Sequence, residues 1–203
     1  MTMSALFAEL ADIFAADVAF ERHARSALKA AAHQQMSGQT SWDSATIGHP
    51  ASLPDALVSV MTAPDAHPVC RHLLQLQLDW SPSTTSNDPL FLNHNQHTVH
   101  IELLGPRGLV YADHVRIGLY GMISDAACRI RMHSAEEIYI MVAGSVWWKR
   151  GDDDFCQHNP GSRSHHPSMM PHANRTEERA FMSIYAWQGD ISTDDYVYDG
   201  LPL

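Results

Sequence analysis

From Pro89 onward the chain breaks into short apolar or alternating runs separated by Gly, Pro, Asn and Asp clusters, and this punctuation restricts the fold more than any other feature. The runs predict strands at Val99–Leu104, His114–Leu119, Ala127–His133, Ile138–Val142, Ser145–Lys149, Ser164–Met170 and Ala180–Ala186, with a last piece near Val197. Eight short strands over about a hundred residues, joined by tight turns, point to a mainly β protein, a sandwich or jelly-roll barrel. No internal repeat or low-complexity segment interrupts the pattern.

The region before Pro89 has a different period. "SALFAELADIFAADVAFERHARSALKAAA" reads as helical, with Leu6, Leu10, Ile13 and Phe14 on one face and Ser4 as N-cap. Ser37–Pro54, rich in turn formers, reads as a loop. Further helices are expected at Pro54–Thr62 and near His67–Trp80, the latter with an apolar surface of Leu73, Leu74, Leu76 and Leu78. Ser81–Pro89 is a second loop and the expected seam between a helical extension, residues 1–88, and a β-barrel, residues 89–203.

Composition excludes several partners. At 203 residues, 45% of them hydrophobic, the chain suits one domain with a real core. A net charge of −10 is a poor match to phosphates, so no nucleic-acid partner is expected. There is no apolar run long enough to span a bilayer, and "MTMSALFAELADIFAAD" lacks the basic start of a secretory signal, so no membrane partner is expected either. Three scattered cysteines argue against a disulfide framework and fit a reducing cytoplasm. The monomer or homodimer state is left open.

Chemistry concentrates in "RMHSAEEIYIMVAG", Arg131 to Gly144. Strand alternation puts Glu137 and Tyr139 on one face and Ile138 and Ile140 on the other. "SAEE" is expected to hold a turn between His133 and Glu137. Buried oxygens need a satisfier, either a metal ion or a hydrogen-bonded polar cluster. In "SHHPSMMPHANRT", His165, His166 and His172 are available, with at most one of the first two facing a pocket. An antiparallel strand could bring His172 opposite Glu137. Such a mixed nitrogen–oxygen set suits one divalent transition metal, Zn, Fe(II), Mn, Co or Ni, rather than Ca or Mg. His94, His97 and His100 are read as loop and strand-edge histidines, and Cys128 as a small barrel residue.

These blocks resemble cupin motifs. His133, three residues, Glu137, six residues and Gly144 follow the first motif, and His172 fits the second. "AEEIY", "HHPSMMPHA", "YAWQGDIS" and "LLGPRGLVYADHVRIGLYG" look like the cupin-type dimethylsulfoniopropionate lyases, especially the short Q-type subgroup, over about Glu102 to Asp190. The resemblance implies metal ligands at His133, Glu137, Tyr139 and His172. Two positions depart from it: Arg131 replaces the first histidine of the usual pair, and Cys128 replaces a tyrosine.

The reaction it implies is β-elimination of a small zwitterionic organosulfur substrate to dimethyl sulfide and acrylate. Tyr139 is the expected general base. Aromatic faces would receive the sulfonium, with Tyr120, Tyr185, Trp187, Trp147 and Trp148 as candidates. Arg131 either pairs with the substrate carboxylate or is an exposed strand arginine. The rival functions are another metal-dependent cupin enzyme, a dioxygenase or isomerase acting on a small carboxylate, and a non-catalytic ligand-sensing cupin.

Overall fold

The structure, a computed structural model, describes residues 2–36 and 53–200. Most of the expected 37–54 loop lies outside them. Helices α1 (Met3–Ile13), α2 (Ala19–Met36), α3 (Asp55–Met61), α4 (Val69–Leu73) and α5 (Pro89–His94) accompany eleven strands among the described residues. The first helical stretch is two helices rather than one. Thr2, not Ser4, caps α1, its hydroxyl accepting the Ala5 amide, while the Ser4 hydroxyl donates to the Ala32 carbonyl of α2. The chain breaks after Phe14, and there the buried Glu21 carboxylate accepts the Ala16 amide at 2.9 Å and pairs with Arg163 at 2.6 Å.

The helix expected at His67–Trp80 ends at Leu73. Beyond it, leucines and tryptophan alternate with Gln75, Gln77 and Asp79, a period of two that suits extended chain. The chain leaves the helix through a turn at Leu74 and Gln75, then buries Leu78 and Trp80 before Ser81 bridges His100. Conversely, α5 falls in the expected loop and just past it. Asp88 caps it by accepting the Leu90 and Phe91 amides, and Pro89 starts it.

The strands are β1 (Thr98–Gly105), β2 (Val110–Tyr111), β3 (Arg116–Met122), β4 (Ala127–Met132), β5 (Ala135–Gly144), β6 (Val146–Arg150), β7 (Cys156–His158), β8 (Arg163–His166), β9 (His172–Arg175), β10 (Phe181–Gly189) and β11 (Val197–Tyr198). A six-stranded sheet has the order β2-β1-β3-β10-β5-β8, and a five-stranded sheet β11-β4-β9-β6-β7. All pairs are antiparallel except β1–β2. This two-sheet arrangement agrees with the jelly-roll expected from the strand pattern. One expected strand, Ser164–Met170, is in fact β8 followed by a turn, because Pro167 and Pro171 interrupt it; β9 then lies in the other sheet.

Both faces of the larger sheet are buried, for different reasons. Ile138, Ile140, Val142, Ile184 and Ala186 join Phe7, Leu10, Leu28, Leu57 and Leu73 in one aliphatic cluster against the helices. Each of these side chains other than Ala186 contributes roughly 1.5–3 kcal/mol by leaving water. The alternate residues, Tyr139, Met141, Phe181, Tyr185 and Trp187, face into the barrel and form an aromatic cluster with Tyr120, Cys128 and Trp148.

Candidate metal centre

His133 belongs to neither flanking strand. It sits in the link between β4 and β5, where the chain passes from the smaller sheet to the larger. Its ring lies between Trp187, 4.0 Å away and nearly parallel, and Tyr196 at 5.6 Å. Two residues into β5, Glu137 points into the barrel and is 1% exposed. Across the ladders it faces Trp187 of β10 and His166 of β8. The expectation that His172 lies opposite Glu137 in one sheet is therefore wrong. His172 enters on β9, in register with Arg131 and Arg150. It nevertheless meets Glu137, because the two sheets converge there. A hydrogen bond from the Met169 amide to the His133 carbonyl, 2.8 Å, ties together the two segments that deliver the histidines.

One ligand atom each from His133, Glu137 and His172 lies within 4.8 Å of the others. Each histidine Nδ1 is bonded to a backbone carbonyl: His133 to Ala135 at 3.1 Å, His172 to Met170 at 2.9 Å. That places the proton on Nδ1 and leaves a lone pair on Nε2. The Nε2 atoms point at Glu137 Oε2 from 3.5 and 3.4 Å, and both are buried without a hydrogen-bond partner. Burial, reinforced by His166 and Arg131, holds His172 well below the usual imidazole range, so it is neutral at pH 7. Burial opposes ionisation of Glu137, yet the imidazoles packed around it, His133, His166 and His172, hold the carboxyl well below its usual range. A neutral imidazole aiming a lone pair at a carboxylate is repulsive unless a cation stands between them. The triad thus fits a metal ion better than the alternative polar cluster.

The surrounding shell fixes the carboxylate. The Trp187 indole donates to Glu137 Oε1. His166, fully buried, lies 3.3 Å from Oε2 through Nδ1, and its Nε2 is 2.9 Å from Ser164 Oγ. Its ring stacks on His172 at 4.3 Å, and burial pushes it down to about 4.

A small cavity opens beside the triad, and Tyr120, Arg131, Tyr139, Tyr185 and Trp187 all line it. Tyr139 is buried; burial and the Glu137 charge hold its phenol well above the usual range. Gly118 faces Tyr185, and a Cβ there would lie 2.7 Å from the Tyr185 hydroxyl and 2.1 Å from the Ile101 carbonyl. Trp148 packs on Tyr139 at 4.5 Å beneath the pocket, whereas Trp147 faces away and stacks with Arg175. Arg131 is not an exposed strand residue: it is 4% exposed, over the Trp148 ring.

Several lining residues escaped the sequence reading. His100 is no mere strand-edge histidine; its Nε2 is 2.8 Å from the Tyr185 hydroxyl, and burial with the Arg107 and Arg116 charges brings it to about 4. Cys128 lines the cavity beside Asn95, and Tyr196 closes it from the C-terminal side. Only strand register could have exposed His100 and His166, and register is not written in alternation.

A two-sheet barrel with two histidines and a glutamate at its inner wall defines a metal-site cupin. Within that class, a model of the dimethylsulfoniopropionate (DMSP) lyase family matches residues 55–183, and the chain belongs to that family. The DMSP lyase DddQ of Ruegeria pomeroyi is 33% identical over 91 residues, 45% of this chain and 45% of that protein, so the chain aligns with just under half of that relative's length. A solved structure of DddQ from Ruegeria pomeroyi DSS-3 superposes with a TM-score of 0.65 at 20% identity, covering 97% of this chain and 95% of that one. Another, from work on the DMSP lyases RdDddP and RnDddQII, gives 0.66 at 17% identity, covering 97% of each. At these identities the superpositions speak to the fold.

Proposed function

We propose that the chain is a metal-dependent lyase that cleaves dimethylsulfoniopropionate to dimethyl sulfide and acrylate. The observation that carries this reading is the pair of partnerless imidazole nitrogens facing Glu137 at the foot of a tyrosine-lined cavity. Family membership supports it. His133, Glu137 and His172 would hold one ion, with Tyr139 as a further ligand, and the mixed donor set suits Zn, Fe(II), Mn, Co or Ni. Such an ion supplies Lewis acidity toward a carboxylate oxygen and lowers the pKa of an adjacent phenol.

The remaining work falls to side chains. Tyr139 Oη takes the proton from the carbon next to the carboxylate. The C–H pair becomes the new C=C bond, the C–S bond breaks, and its electron pair leaves with sulfur as neutral dimethyl sulfide. Tyr120, Tyr185 and Trp187 present aromatic faces to the sulfonium, a contact of about 0.5–2 kcal/mol each when water is excluded. Trp187 and His166 keep Glu137 oriented.

Headspace dimethyl sulfide from metal-saturated protein tests the reading. Tyr139→Phe is expected to lower turnover at least about a hundredfold. No release by the wild type at saturating metal and substrate sinks the lyase; undiminished release by Tyr139→Phe removes Tyr139 as base. We further propose that residues 1–88 are a helical extension packed on the barrel of residues 89–203, supported by the aliphatic cluster that spans both. A cytoplasmic location is supported by three unpaired cysteines. Among the described residues no helix is long and apolar enough to cross a membrane.

A further inference from the structure

Arg131 is a buried cation without a counter-ion. Its side chain makes no hydrogen bond or salt bridge to any described residue, and Nη1 is buried with no partner. Its guanidinium carbon lies over the Trp148 ring, 5.4 Å from the ring centre. The groups its charge acts on are neutral: Tyr120, Cys128, Tyr139 and Tyr196, all buried. A guanidinium cannot shed its proton to escape such a place, and an unpaired buried charge destabilises a fold strongly. The other arginine lining this cavity, Arg116, is by contrast paired with Glu102 at 2.8 Å.

We propose that Arg131 is the core of a carboxylate subsite, which grips the anionic end of a small ligand whether or not the metal is bound. A planar carboxylate matches the guanidinium fork in shape and charge. Like-charge repulsion also orients a zwitterion in the cavity. Its carboxylate lies at Arg131, and its cationic end is directed away from that charge, toward the buried Glu137 carboxylate. The subsite depends on the lyase reading only for the name of the ligand.

Binding to chelator-treated protein, followed by calorimetry and thermal shift, separates the two ideas. Acrylate and propionate are expected to bind the chelated wild type, and propionamide, their uncharged counterpart, is not. Arg131→Gln should weaken acrylate binding at least tenfold, Arg131→Lys less. Relief of the unpaired charge should leave ligand-free Arg131→Gln melting at or above wild type. Absent acrylate binding to the chelated wild type, or equal binding by Arg131→Gln, overturns the subsite. So does a ligand-free Arg131→Gln that melts well below wild type, which would make the guanidinium a packing element on Trp148. Acrylate binding through Arg131 without any dimethyl sulfide release would keep the subsite and remove the lyase.

Discussion

Trp187 does three things with one side chain. It walls the cavity, stacks on His133 and donates its indole proton to Glu137. Trp187→Phe keeps the ring and loses the donor, leaving a buried carboxylate oxygen unpaired. Metal affinity measured against a competing chelator is expected to fall about 10–100-fold, the usual effect of losing such a support; affinity within twofold of wild type would mean Glu137 is oriented by His166 alone. The inward pairing of Glu137 with Tyr139 was legible because two residues of one strand share a face by geometry. The role of His166 was not, since facing Glu137 depends on how β8 slides along β5. Nor was the burial of Arg131: alternation assigns a residue to a face but does not say whether water reaches it.

Among the elements, the strand pattern transferred well, and its failures have local causes. The helix expected through Trp80 yielded to a two-residue period, and the strand expected through Met170 yielded to two prolines. That second failure matters most to the site, because the turn at Pro167–Met170, with Met169 at φ +60°, hands His172 to the opposite sheet. Gly118 shows how closely β3 and β10 constrain the pocket wall. Gly118→Ala forces Tyr185 aside and is expected to cost about 1–3 kcal/mol. For a chain of this size that corresponds to a melting temperature lower by several degrees, roughly 2–4 °C per kcal/mol. An unchanged melting temperature would mean that β1 and β3 part easily. Gly144, at φ +70° with a hypothetical Cβ 1.9 Å from the Ala180 carbonyl, closes the same strand pair that carries Glu137. Its place in the motif is thus a backbone requirement rather than a chemical one.

At the scale of the whole molecule, burial of histidines makes stability depend on pH. His100 and His166 are held at about 4 in the folded chain, below the ordinary value of 6.5. Between those values the unfolded chain takes up protons that the folded chain refuses. Their contribution is therefore complete above about pH 6.5 and is lost as pH falls toward 4. Urea unfolding of chelated protein should show stability dropping steadily from pH 7 to pH 4.5, with a shallower drop in His100→Asn. Identical slopes would mean that His100 opens to water before the barrel unfolds.

None of the described residues before Ser83 lines the cavity, yet the helices rest on the same strands that build it. On β10, Ile184 and Ala186 meet the helical layer while Tyr185 and Trp187 form the pocket wall. The strand is one wall shared by two compartments. Sequence drift in the helices can therefore retune turnover and ligand preference remotely, with every residue in contact with the ligand left untouched.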